Sequence, residues 1–81
     1  MSNLIKLYRV PSFQVEPLPT GHYRISWVKP KPSFSGMFRI YYKNRLAGVT
    51  KATLMIDFGR PNTVSPNGYE VFWEDDRYGS P

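Results

Sequence analysis

Alternation of apolar and polar side chains with a period of two is the feature that most limits how this chain can fold. The segments GHYRISWV, MFRIYYK and YEVFW, which start at residues 21, 37 and 69, all show it. Since successive side chains of a strand point to opposite faces, the pattern predicts three half-buried β-strands. The side chains expected to point inward are Tyr23, Ile25 and Trp27, then Phe38, Ile40 and Tyr42, then Tyr69, Val71 and Trp73.

A fourth alternating segment, ATLMIDF, covers residues 52–58. It also predicts a half-buried strand, because β-branched and aromatic residues are common in such strands. Its apolar face is expected to lie opposite Thr53, Met55 and Asp57, and it consists of Ala52, Leu54, Ile56 and Phe58.

Eight prolines and six glycines fall mainly between these segments, where they indicate turns. No stretch of about ten residues carries a helical pattern free of such breakers. The length of 81 residues fits one domain, 1–81, with an extra N-terminal strand in 1–10 and the main portion in 11–81. The sequence predicts an all-β fold, either a small antiparallel β-sandwich or a small β-barrel of OB or SH3-like type.

Residues 11–81 resemble a fibronectin type III domain, an immunoglobulin-like β-sandwich. VPSFQVEPLPTGHYRISWVKP is similar to the first two strands of that family, GMFRIYYK to the third, and YEVFWEDDRYGSP to the sixth strand and the turn beyond it. The resemblance implies that Trp27 and Tyr69 are core residues from opposing sheets. It also implies a scaffold or binding module rather than an enzyme, and it leaves the family's last strand without a counterpart.

The segment 4–10 is predicted to supply that missing strand beside 69–73, with Ile5 and Leu7 on one face and Lys6 and Tyr8 on the other. The strand could come from the same chain, or from a second copy in a homodimer. Alternatively, the edge of 69–73 stays open and pairs with a strand of a partner protein.

Candidate catalytic and metal-binding residues are few. The chain has no cysteine and a single histidine, His22, which is interpreted as a solvent-exposed loop residue. Glu74, Asp75 and Asp76 would alternate between faces of a strand, so they are interpreted as an acidic strand end rather than a calcium site. No enzymatic activity, cofactor or metal is predicted.

The net charge of +5 is unevenly distributed. Residues 1–45 carry eight lysines and arginines against Glu16 alone, which indicates an anionic partner, either nucleic acid or an acidic protein patch. The plainer interpretation is that strands direct cations outward for solubility. No membrane association is expected, because no run of about 18 apolar residues exists, and the cytoplasm is the predicted location.

One surface stands out as a candidate binding site. If the strand faces are as predicted, Tyr41 points outward between Arg39 and Lys43, and Phe72 points outward between Glu70 and Glu74. Pairing of the two strands would bring Tyr41 and Phe72 side by side. Such a pair fits a protein-binding patch, unless the loop 59–68 covers it.

Two functions follow from this surface. The favoured one is a small non-enzymatic module that binds another protein, which would suit an accessory or inhibitory protein of a virus or mobile element. The alternative is nucleic-acid binding by a basic, aromatic β-surface. The candidate binding residues are Arg39, Tyr41, Lys43, Arg45 and Phe72.

Overall fold

A computed structural model of the chain describes residues 7–30 and 36–74. The described residues contain no α-helix, and the prediction of an all-β chain is confirmed. The elements are β1 (Leu7–Arg9), β2 (Phe13–Pro17), β3 (Tyr23–Trp27), β4 (Phe38–Tyr42), β5 (Arg45–Thr50), β6 (Leu54–Asp57), a short 3₁₀ helix (Pro66–Gly68) and β7 (Tyr69–Glu74).

The strands form two antiparallel sheets. Sheet I has four strands in the order β1-β7-β4-β5, and sheet II has three in the order β2-β3-β6. Every neighbouring pair is antiparallel. Neither sheet closes on itself within the described residues, so these strands form no closed barrel.

The hydrophobic core is built from the inward faces of both sheets. Trp27 of sheet II meets Phe38 of sheet I edge to face, with ring centroids 5.2 Å apart. Tyr23 and Tyr69 make a second such contact between the sheets at 5.9 Å. Trp27 and Tyr69, expected in the core, are 6% and 3% exposed. The buried apolar set is Val10, Tyr23, Ile25, Trp27, Phe38, Ile40, Tyr42, Tyr69 and Val71.

β1 lies beside β7, where the sequence indicates a strand. Tyr8 is opposite Trp73 in the register, and their rings stack with centroids 4.7 Å apart. The backbone N–H of Val10 continues the pairing by donating to the carbonyl of Val71 at 2.8 Å. β7 therefore has β1 on one side and β4 on the other, both from the same chain, so its edge is not open for a partner's strand. Residues 4–6 lie outside the described residues.

β5 is a strand that the alternation pattern did not predict. It follows β4 through a two-residue turn in which Lys43 and Asn44 have φ values of 48° and 70°, as in a type I′ hairpin turn. A register shift after Ile40 adds one residue to β5 and breaks its period of two. Gly48 then passes so close to the Met55 sulfur that a Cβ would collide with it.

The predicted orientation of the fourth alternating segment is wrong. β6 covers only Leu54–Asp57, and its buried side is that of Met55 and Asp57. Asp57 is 2% exposed, whereas Leu54 and Phe58 are 48% and 70% exposed. The reason is that Arg60 and the Tyr69 hydroxyl donate hydrogen bonds to the Asp57 carboxylate inside the fold, and these bonds offset the cost of burying its charge.

The loop 59–68 packs on the core side of the sheets, where its backbone carbonyls accept hydrogen bonds from two core tyrosines. The Tyr23 hydroxyl donates to the carbonyl of Val64 at 2.6 Å, and the Tyr42 hydroxyl donates to the carbonyl of Ser65 at 2.9 Å. The side-chain amide of Asn62 donates to the carbonyls of Leu18 and His22, across to the β2–β3 connection. These contacts hold the loop on the core side of sheet I, opposite the side chain of Tyr41.

Candidate functional site

The candidate site is the outer face of sheet I, the face turned away from the core. Because Phe38, Ile40 and Val71 are fully buried, the residues between them point outward. The register places Arg9 opposite Phe72 and Leu46 opposite Tyr41, so the edge strands extend the same surface. Its members are Leu7, Arg9, Arg39, Tyr41, Leu46, Val49, Glu70, Phe72 and Glu74.

Tyr41 and Phe72 lie side by side near the middle of the outer face. Their ring centroids are 5.6 Å apart with an interplanar angle of 82°, an edge-to-face contact that favours a fixed geometry. Leu46 and Val49 on β5 are 51% and 42% exposed, and Leu7 on β1 is 41% exposed. Apolar surface therefore runs across the face from one edge strand to the other.

Two ion pairs flank the aromatic pair. Arg39 donates from Nε to Glu74 at 2.5 Å, and Arg9 donates from a guanidinium nitrogen to Glu70 at 2.6 Å. The Glu74 hydrogen bond raises the pKa of Arg39 above its ordinary value. The Arg9 guanidinium also lies 5.0 Å from the centroid of the Phe72 ring, within cation–π range. Each arginine on this face is thus matched by a glutamate.

An open depression of about 240 Å³ lies beside the aromatic pair. Among the described residues, its lining consists of Leu7, Tyr41, Asn44, Glu70 and Phe72, drawn from β1, β4, the β4–β5 turn and β7. Glu70 is the one charged residue among them, and its side chain is 38% exposed.

The structure brings together three of the five candidate residues. Arg39, Tyr41 and Phe72 share the outer face, but Lys43 and Arg45 do not. Lys43 belongs to the hairpin turn, and its Nζ lies 5.6 Å from the ring centroid of the inward-facing Tyr42. Arg45 is opposite Tyr42 in the register, so it belongs to the other side of the sheet. The three basic candidate residues are therefore divided among the outer face, the hairpin turn and the other side of the sheet.

Sequence reasoning did not assign four residues of the outer face: Leu7, Arg9, Leu46 and Val49. The alternation in 4–10 placed Leu7 on the face opposite Lys6 and Tyr8, yet only the pairing with β7 shows which way that face points and that Arg9 shares it. For Leu46 and Val49 no usable signal existed, because the register shift in β5 disrupts the alternation.

A second polar cluster lies inside the fold around Asp57. Its carboxylate accepts from the Tyr69 hydroxyl at 2.6 Å, from Arg60 at 2.5 Å and from the Gly59 backbone N–H at 3.0 Å. Burial alone would raise the pKa of Asp57, but these hydrogen bonds outweigh it and hold the pKa below its usual value. Burial, with the bond to Asp57, raises the pKa of Tyr69. The same carboxylate raises the pKa of Arg60.

These shifts move the pKa values of both Asp57 and Tyr69 further from neutral pH. A general acid or base works best with a pKa near the operating pH, so the cluster has the opposite arrangement from a catalytic pair. Its chemistry is that of a buried, satisfied hydrogen-bond network that links β6 to β7.

His22 differs from its interpretation as a fully solvated loop residue. Its ring packs edge to face with Phe58 at 5.1 Å, and its Nδ1 is buried without a hydrogen-bond partner among the described residues. Within residues 7–30 and 36–74, no three histidine or acidic side chains gather as metal ligands would. Glu74 ends β7 in its ion pair with Arg39, while Asp75 and Asp76 lie outside the described residues.

Comparison with known proteins returned no match to any family model, to any curated protein or to any solved structure. Among the described residues, no helix has the length and apolar character needed to cross a membrane.

Proposed function

We propose that the chain is a fibronectin type III-like β-sandwich that binds another protein, without chemistry of its own, through the outer face of sheet I. The strand arrangement supports this fold. β2 and β3 pair, and β4 and β7 are neighbours in the other sheet, as their resemblance to the family's first, second, third and sixth strands requires. β1 takes the place of the family's last strand.

The observation that carries the proposed function is the half-buried Tyr41–Phe72 pair, which the described residues place on a partly apolar sheet face turned away from the core. A centrally placed aromatic pair within apolar surface, flanked by charged residues, is the usual composition of a protein-binding hot spot. The loop that could have covered the pair is held on the core side by Tyr23 and Tyr42. The cysteine-free composition suits the reducing cytoplasm, where we place the protein.

The same face argues against the nucleic-acid alternative. Phosphate binding needs cations that are free to replace counterions. On the outer face Arg9 and Arg39 are paired with Glu70 and Glu74, so the local charge is balanced. Those carboxylates would also repel a phosphate backbone that crossed the aromatic pair.

The test is to replace Tyr41 and Phe72 together with Ser and to measure affinity for the protein partner recovered from the native host. Loss of a central aromatic anchor commonly costs about 2 kcal/mol or more, roughly thirtyfold for each residue. We expect binding to be abolished while the thermal midpoint stays nearly unchanged, because the pair lies outside the core.

The matched control replaces Val28 and Phe58 with Ser. These residues are 82% and 70% exposed and lie away from the outer face, so partner affinity should persist. A nuclease-treated sample run in parallel decides between the two functions. Undiminished affinity of the Tyr41/Phe72 variant would remove the outer face from consideration, and a partner lost on nuclease treatment would favour nucleic acid.

A further inference from the structure

We propose that the depression beside Tyr41 and Phe72 is a receptor for an arginine side chain of the protein partner. This inference rests on the proposed function and deepens it, since it names the chemistry of the partner's anchoring residue. The depression measures about 240 Å³, and the described residues of its lining provide two aromatic rings, one leucine, one amide and one carboxylate.

The lining suits both parts of an arginine side chain. Leu7, Tyr41 and Phe72 offer apolar and aromatic surface for the aliphatic stem and the flat face of a guanidinium. Glu70 offers a carboxylate, which accepts hydrogen bonds from a guanidinium in matching geometry.

The chain's own Arg9 already shows this chemistry at the rim. Its guanidinium bonds one oxygen of Glu70, Oε2, at 2.6 Å and lies 5.0 Å from the centroid of the Phe72 ring. Arg9 is not part of the lining, so it reaches the carboxylate from beside the depression. A carboxylate offers about four acceptor positions, which leaves capacity for a second guanidinium.

The net charge of +5 constrains the rest of the partner surface. A strongly basic partner would be repelled as it approached, so the arginine is expected to be a single anchor.

The test is an NMR titration of the full chain with N-acetyl-arginine methylamide. The comparison ligand is N-acetyl-citrulline methylamide, which has nearly the same shape without the charge. We expect saturable shifts at the amides of Tyr41, Asn44, Glu70 and Phe72, with an affinity in the millimolar range that suits one side chain. Equal shifts with citrulline, or no saturable shift at these amides, would overturn the proposal.

Variants then test the carboxylate itself. Glu70→Gln should weaken binding of the arginine probe by about tenfold or more, since a charge-assisted hydrogen bond is lost. Glu16→Gln is the matched control, because Glu16 is also an exposed glutamate paired with an arginine, Arg24, but in sheet II. Unchanged binding by Glu70→Gln, or equal loss in both variants, would contradict the assignment.

Arg9→Ala gives an independent measurement that does not alter the lining. If Arg9 competes for Glu70, its removal should tighten binding of the arginine probe. Weaker or unchanged binding would contradict the assignment of Glu70 as the acceptor of the probe's guanidinium.

Failure of this inference is distinguishable from failure of the proposed function. If Tyr41/Phe72→Ser loses the protein partner while Glu70→Gln keeps full affinity for both probe and partner, only the arginine pocket is wrong. If Tyr41/Phe72→Ser retains the partner, the proposed function of this face is wrong whatever the probe does.

Discussion

Asp57 shows how a single residue can set the orientation of a strand. Its side chain is buried next to tyrosine rings, an environment that would ordinarily favour the neutral acid. Donors from Tyr69, Arg60 and Gly59 surround the carboxylate and keep its charged form favoured. The exposure of Leu54 is a consequence, since residues an odd number of positions apart in a strand face opposite ways and Leu54 is three positions from Asp57.

Asp57→Asn should destabilise the fold at neutral pH by about 1–3 kcal/mol, because the amide cannot satisfy Arg60 and Tyr69 as the carboxylate does. The pKa of Asp57 is lower in the folded state than its ordinary value of 3.8. Its contribution is therefore fully present above that value and is lost as pH falls through the folded-state pKa.

Urea unfolding of wild type and Asp57→Asn across the acid range measures this. We expect the difference between them to shrink towards low pH. The control is Glu16→Gln, which removes an exposed ion pair and should cost at most about 1 kcal/mol. A difference that stays constant from neutral to strongly acid pH would contradict the role given to the charge.

Trp27→Ala should cost about 3–5 kcal/mol, a large part of a small domain's stability. Trp27 is 6% exposed and packs against Phe38 of the opposite sheet. Val28→Ala, at the neighbouring exposed position, should change the free energy of unfolding by less than about 0.5 kcal/mol. Chemical denaturation of both variants checks this, and similar values for the two would be inconsistent with the core described.

At the scale of elements, the β4–β5 hairpin depends on an unusual turn. Both turn residues have positive φ, and neither Lys43 nor Asn44 is glycine. A left-handed conformation costs an ordinary side chain about 1–2 kcal/mol, with asparagine the most tolerant. The hairpin tolerates this because β4 is paired on both sides and holds the turn from within the sheet.

Replacing the turn by Asn-Gly (Lys43→Asn with Asn44→Gly) should stabilise the protein by roughly 0.5–1 kcal/mol, since this dipeptide prefers type I′ turns. The midpoint of thermal unfolding should rise accordingly. Asn67→Gly is the control, because Asn67 lies in the 3₁₀ helix and is not among the positive-φ residues. There glycine should be neutral or destabilising, and stabilisation at both positions would mean that turn geometry is not the cause.

At the scale of the whole molecule, sheet I is completed by a strand from the start of the chain. β1 pairs with β7 across more than sixty positions, with Tyr8 opposite Trp73. This pairing covers an edge that would otherwise present unpaired backbone groups. It also adds Leu7 and Arg9 to the outer face, so the candidate site and the closure of the fold depend on the same strand.

Deleting residues 2–9 should therefore destabilise the protein or cause it to aggregate, and it should accelerate amide hydrogen exchange at Val71 and Phe72. The control is the same truncated chain supplied with a synthetic peptide of residues 2–9, which should restore part of the protection. A truncated chain that stays monomeric, with unchanged exchange along β7, would show that β1 does not protect that edge.

The alternation of apolar residues determined by itself that the chain is all-β, and it identified the core positions of β3, β4 and β7. These were predictable because a strand with one apolar face has a single orientation that buries it. The same alternation was enough to predict that Tyr41 and Phe72 lie side by side, once β4 and β7 were taken as neighbouring strands.

Only the tertiary structure decided the rest. Leu54, Ile56 and Phe58 are more apolar than Met55 and Asp57, so the sequence pattern favours burying the first set. The side of Met55 and Asp57 is buried instead, because donors from β7 and the loop 59–68 satisfy the Asp57 carboxylate. β5 was hidden by its register shift. The two-residue turn, which sets Arg45 opposite Tyr42, removed Lys43 and Arg45 from the face that carries Arg39. Burial of a charge and the path of a hairpin depend on partners distant in sequence, and a local pattern contains no information about those partners.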